Sequence, residues 1–185
     1  MQFLLVDRVV VWEAGASITT AKAVSLSEEY LADHFPTFPV FPGVLMLEML
    51  VESAAWLVRA THDFAETIIL LREAKNVTYK SFVVPGQALR GEVTCRRLSR
   101  RDSEFVASGF RDDAEVVKAR FTLSHASLTD RNPDLATIDK QIRESARRQW
   151  ALIGGLGTGG AAPKQIGGGT GSSTAASSQA VSRVD

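Results

Sequence analysis

The stretch HFPTFPVFPGVLMLEMLVESAAWLV, residues 34–58, limits the fold of this chain more than any other. It opens with a histidine followed by three prolines, Pro36, Pro39 and Pro42, and runs into a block from Val44 to Val58 that is apolar on nearly every face. A helix of that composition has to be enclosed by other elements of the fold. The block is too short for a confident bilayer crossing. It also carries Glu48 and Glu52, and Arg59 follows it directly, so a buried helix and no membrane span are expected.

The flanking segments supply the enclosure. Residues 2–26 predict two strands, FLLVDRVVVWE and SITTAKAVS, joined by a turn at AGA. SLSEEYLADHF then predicts a short helical turn with Ser27 as its cap. After the central helix come TIILLREAKNVTYKSFV, ALRGEVTCRRLSR, EFVASGFRD and EVVKARFTLSHA. Val, Ile, Thr and Phe dominate these runs, and breaks such as VPGQ, RRDS and RDDAE separate them. Two strands, a long apolar helix and four more strands predict an α+β domain, an antiparallel sheet wrapped around one central helix, over residues 1–128.

Residues 129–153 predict a helical extension, with Leu135, Ile138, Ile142 and Ala146 spaced for a helix from about Leu135 to Leu152. Arg143, Arg147 and Arg148 on it are expected to form a solvated face. Beyond it, nine of the 14 glycines lie between Gly154 and Gly171, and Ser, Thr and Ala fill much of the rest. Such a segment buries too little apolar surface to offset its ordering entropy, so 154–185 is expected to be a disordered tail.

Composition narrows the chemistry by exclusion. The formal net charge is zero, which gives no general attraction to nucleic acid. A single cysteine, Cys95, has no partner for an internal disulfide and fits a reducing cytoplasm as an inert thiol. Asp7 and Arg8 interrupt the apolar opening MQFLLVDRVVVWE, so no signal peptide is expected. No Cys/His group has zinc spacing, so no metal is expected, and His62 and His125 are expected to be structural or exposed.

The proline-rich loop is where chemistry gathers. Three prolines fix φ and restrict their neighbours, giving a stiff irregular loop that can hold His34 in place. Pro42 and Gly43 stand where the helix begins, and the N–H groups of Gly43 and Val44 would be open to a developing negative charge. A neutral histidine is a competent base near neutral pH, and a carboxyl kept protonated by apolar surroundings can act as an acid. The set suits proton abstraction beside a thioester carbonyl. From the residues alone a second reading stays open: His34 structural, and Glu48 and Glu52, four residues apart, forming a polar stripe at an interface.

HFPTFPVFPGVLMLE resembles the signature of the 3-hydroxyacyl-acyl-carrier-protein dehydratases, which have the hot-dog fold; His-Phe-Pro, Pro and Pro-Gly are followed by an acid fourteen residues after the histidine. FLLVDRVVVWEAG and SFVVPGQALRGEV resemble that family's opening strand and its Pro-Gly turn into a long strand, so the likeness covers about residues 2–127. It implies that His34 removes the C2 proton of a (3R)-hydroxyacyl thioester, that Glu48 assists loss of the 3-hydroxyl, and that the Gly43 N–H holds the thioester oxygen. It also implies sites shared across a homodimer or a trimer of dimers, an acyl carrier protein as partner, and no cofactor. Two positions depart from the pattern: Thr37 stands where glycine is common, and Glu52 where glutamine is usual, close enough to modulate the acid.

The basic run Arg96, Arg97, Arg100 and Arg101 reads first as a solvated face, with docking of an acidic carrier protein as the alternative that the resemblance adds. Leu45, Met46, Leu50 and Trp56 are core positions, some of them suited to lining an acyl tunnel. A thioesterase on the same fold and a non-catalytic acyl-binding or partner subunit are the alternatives, the latter motivated by Thr37 and Glu52.

Overall fold

The central helix α2 runs Gly43–Thr61 and buries Met49, Leu50, Ala54, Leu57 and Val58 almost completely. The computed structural model describes residues 4–35 and 37–157, so residues 158–185 of the expected disordered tail lie outside the described residues. Residues 154–157 are instead held against the domain, with Gly155 buried and its carbonyl accepting from the Trp12 indole at 3.0 Å. Six strands enclose the sheet side of α2: β1 Arg8–Glu13, β2 Ser17–Ala23, β3 Ile68–Tyr79, β4 Ala88–Leu98, β5 Asp102–Arg111 and β6 Ala114–Ala126. They form one antiparallel sheet in the order β1-β2-β4-β5-β6-β3, the hot-dog arrangement that the sequence led us to expect. Among the described residues no helix is long and apolar enough to cross a membrane.

What seats α2 is a close approach to β4. A Cβ at Gly91 would come within 3.1 Å of the Leu50 side chain and of the Met49 sulfur, so glycine there lets the helix lie directly on the strand. Beside this contact the Ser53 hydroxyl donates to the Met49 carbonyl at 2.7 Å and shares a 2.7 Å hydrogen bond with Thr20 of β2. Both hydroxyls are buried, so each satisfies the other where water does not reach.

The first strand begins later than FLLVDRVVVWE suggested, at Arg8. Leu5 and Val6 are buried in the core instead, and Asp7 accepts from the Ala23 N–H and from Lys22. The short helix α1, Tyr30–Asp33, starts after Glu29 with no side-chain cap; Ser27 bonds to Ser25 rather than capping it. The C-terminal helix α3 spans Ala136–Leu152. It docks through Trp150, which stacks on Trp56 at 5.8 Å and meets Trp12 edge-on at 5.3 Å. Arg143 and Arg147 are not merely solvated. Arg143 pairs with the buried Asp139, while Arg147 binds Asp63 at 2.9 Å and lies over the Phe64 ring.

Replacing Ser53 by Ala leaves the Thr20 hydroxyl buried without that partner and is expected to cost about 1–3 kcal/mol of unfolding free energy. Adding Thr20→Val should recover part of that loss in chemical denaturation. A double variant that loses the sum of both single costs would contradict the paired role of the two hydroxyls.

Candidate active site

His34 sits at the end of α1, half-buried, with extended backbone (φ −111°, ψ 99°). Its ring lies against that of Phe35, 4.6 Å between centroids. Phe35 is left-handed (φ 52°), and its carbonyl accepts from the Phe38 N–H at 2.8 Å. Left-handed backbone at a residue with a Cβ costs about 1–2 kcal/mol. Among the described loop residues the strain therefore sits next to His34, whereas Thr37 is exposed. The loop is pinned further along, where the Phe41 N–H donates to the Val83 carbonyl at 2.8 Å and the buried Phe41 ring packs on Tyr30.

Pro42 is the residue just before α2, and its carbonyl accepts the Leu45 and Met46 N–H groups at 2.9 and 3.1 Å. The N–H groups of Gly43 and Val44 come before these bonds. Gly43 lies under the Tyr79 ring, where an added Cβ would stand 3.2 Å from the nearest ring carbon. A side chain at this position would push Tyr79 away from the start of the helix. Nothing in the sequence signals that contact, because Tyr79 closes a strand far along the chain. Val44 is open, 70 % exposed.

Val44, Glu48, Glu52 and Trp56 follow one another at i,i+4 and so share a stripe of α2 that the sheet does not cover. The stripe runs into a cleft of about 410 Å³ between α2 and α3, lined by Glu48, Glu52, Trp56, Arg59, Ile142 and Gln149 among others. His34 lies outside this cleft. Glu48 is exposed in the single chain, yet desolvation by its surroundings already raises its carboxyl pKa.

Glu52 is better held. Its two oxygens accept from the Leu5 N–H at 2.8 Å and from the Trp56 indole at 3.3 Å. Burial raises its pKa, these two donors pull the other way, and the neighbouring Glu48 charge adds to the rise. Arg59, drawn down in pKa by desolvation, lies over Trp56 at the same cleft. The Leu5 contact was hidden from sequence reasoning, since residues 4–7 pattern as strand.

The model of the FabA-like domain family matches residues 1–120, a span that includes the His34 loop, the start of α2 and both glutamates. The chain belongs to the FabA-like domain family. Two of its relatives carry the name 3-hydroxyacyl-[acyl-carrier-protein] dehydratase FabZ. The one from Janthinobacterium sp. (strain Marseille) is 35% identical over 133 residues, covering 70% of this chain and 85% of the relative. The one from Symbiobacterium thermophilum is 33% identical over 134 residues, covering 72% and 93%. Among solved structures, the dehydratase heterocomplex ApeI:P from Xenorhabdus doucetiae superposes with a TM-score of 0.58 at 14% identity, covering 72% of this chain and 90% of that one. At that identity it speaks for the fold alone, and the fold is hot-dog.

On this FabA-like frame the basic run lies far from Gly43. Arg97 binds Glu104 and Asp102, while Arg96, Arg100 and Arg101 are exposed around the β4–β5 turn. That turn shares its end of the sheet with the last residues of α2, where Gly15 lies between Leu98 and Thr61. Gly43 and Tyr79 mark the opposite end. His62 and His125, set aside as structural or exposed, meet at the arginine end, with ring centroids 5.5 Å apart.

A raised folded-state pKa means that the stability Glu52 contributes is complete below its unfolded value, about 4.3, and is lost as pH rises through the folded value. Glu52→Gln removes that loss. Unfolding free energies measured from about pH 4 to about pH 8 should therefore shift in favour of the variant relative to wild type as pH rises. Parallel profiles would contradict the raised pKa.

Proposed function

We propose that the chain dehydrates (3R)-3-hydroxyacyl thioesters carried on acyl carrier protein to trans-2-enoyl thioesters, in fatty-acid or related acyl-chain synthesis. The observation that carries this reading is the combination on one FabA-like frame of His34 in a pinned loop, free N–H groups at the start of α2, and a desolvated carboxyl at Glu48.

In the reaction, a His34 ring nitrogen takes the C2 proton, and the C–H electron pair enters the developing enolate. The Gly43 N–H, with Val44 beside it, receives the charge on the thioester oxygen. The enolate collapses to the C2=C3 double bond as the C3–O bond breaks, and Glu48 supplies the proton that lets the hydroxyl leave as water. Histidinium and carboxylate are left, and a proton passed from one to the other restores the start. The raised pKa of Glu48 favours the protonated form that this step uses. No cofactor is needed for a redox-neutral elimination.

Among the described residues, the cleft that Glu48 lines does not include His34, which supports a site completed by a second copy. Apolar side chains exposed around the start of α2, namely Phe35, Phe38, Val44 and Phe82, support the same assembly. So does the edge strand β3, whose Leu70 and Leu71 are exposed. A homodimer, or a trimer of such dimers, covers these groups and desolvates Glu48 further. Arg96, Arg100 and Arg101, with Arg97 tied to its acidic neighbours, form the surface proposed to receive the acidic carrier protein. It lies at the end of the sheet opposite Gly43, so the carried chain has to run the length of α2 to reach the site. The reaction then belongs in the cytoplasm, with its carrier.

His34→Ala and Glu48→Gln are each expected to lower enoyl-thioester formation by roughly 10²–10⁴-fold with thermal unfolding unchanged. The assay follows enoyl absorbance and free thiol together on a 3-hydroxyacyl substrate linked to carrier protein. Thiol release without enoyl product would make the chain a thioesterase. Neither signal from folded protein would leave a non-catalytic acyl-binding subunit.

A further inference from the structure

Three side chains that dehydration does not use meet beyond the far end of α2. His62 closes the helix, its backbone N–H donating to the Val58 carbonyl. Glu66 follows four residues later in the connection to β3, and His125 is the penultimate residue of β6. Nδ1 of His62 lies 2.7 Å from Oε1 of Glu66, and Nδ1 of His125 lies 3.9 Å from the same oxygen. One ligand atom from each residue falls within 4.8 Å of the other two.

The surroundings leave this cluster short of partners. The His125 side chain is fully buried, and its Nδ1 has no hydrogen-bond partner; neither has Oε2 of Glu66. The other ring nitrogen of His125, Nε2, lies 2.9 Å from the hydroxyl of Ser103, which is itself buried. With Nε2–H donating to Ser103, Nδ1 presents a bare lone pair on the side of the Glu66 carboxylate. His62 answers the Glu66 carboxylate from one side, and on the other a bare His125 nitrogen facing it is unfavourable unless a proton or a metal cation stands between them. A histidine held through its second nitrogen while the first points at a carboxylate and another imidazole is how proteins orient metal ligands.

We propose that His62, Glu66 and His125 bind a single divalent transition-metal ion, zinc foremost, with a fourth position left for water. Two imidazole nitrogens and one carboxylate oxygen suit zinc, whereas calcium and magnesium call for more oxygen ligands. Tetrahedral bonds of about 2.0–2.1 Å set neighbouring donors roughly 3.3 Å apart. That spacing falls between the 2.7 Å and 3.9 Å of the two imidazoles from Glu66, and the widest separation in the group, up to 4.8 Å, closes by turning the side chains inward on the ion. His62, 23% exposed, gives the ion its way in. His62 stands fourteen positions beyond Glu48, about 21 Å along the helix axis, so the ion takes no part in dehydration. Its work is to clasp the end of α2 and the β3 connection to the end of β6.

The test uses untagged full-length chain stripped with chelator, titrated with Zn²⁺ in a calorimeter and with Co²⁺ while visible absorbance is followed. Expected are one ion per chain, the intense visible bands of four-coordinate cobalt, and an unfolding temperature that rises with Zn²⁺. His62→Ala and Glu66→Gln should abolish all three while remaining folded without metal. Ser103→Ala should weaken binding by about 10–100-fold. Absence of stoichiometric uptake by wild type, or uptake that survives in His62→Ala and Glu66→Gln, overturns the proposal and leaves a pair of imidazoles sharing a proton with Glu66.

Discussion

The contact between α2 and Gly91 of β4 sets the position of almost everything else. With no Cβ in the way, Leu50 and Met49 lie directly on the strand, and the Thr20–Ser53 hydrogen bond fixes the helix rotation beside them. That rotation decides which residues of an almost wholly apolar helix face away from the sheet. Val44, Glu48 and Glu52 do, in a line. A helix turned by one residue would carry Glu48 into the core, where its charge would be costly to bury.

The two carboxylates in that line have different surroundings and so different uses. Glu52 is tied to the Leu5 N–H and the Trp56 indole, and those donors occupy its oxygens. Glu48 is raised in pKa by desolvation and is open on its outer side. Glu52 holds the N-terminal segment on the helix, and Glu48 is left open for the role proposed for it. At the usual glutamine position, the glutamate therefore makes structural hydrogen bonds with two donors. A glutamine amide would offer one oxygen and one NH₂ group to those same two donors.

Much of this was legible in the chain itself. The apolar block Val44–Val58 is the inner part of the observed helix Gly43–Thr61, and the spacing from Leu135 marks α3 to within a residue at its start. The HFP–Pro–PG pattern placed the helix start. What escaped has a common cause. Leu5 and Val6 pattern as strand but bury as core because a tertiary contact, Glu52, takes the Leu5 N–H. Ser27 has the right chemistry for a cap and bonds locally to Ser25 instead. Arg147 does stay in solvent, paired there with Asp63, while Arg143 reaches Asp139, which the fold buries beside it. His62 and His125 lie on separate elements, so nothing in their spacing shows that their rings meet.

The central claim is that one chain holds only half of each catalytic set. His34→Ala and Glu48→Gln chains, each inactive, should be mixed, unfolded and refolded together, and assayed for enoyl formation. If His34 of one copy works with Glu48 of the other, each mixed dimer holds one intact site, and random pairing returns about a quarter of wild-type activity. If both residues act within a single chain, every site in the mixture carries a defect, and no activity returns.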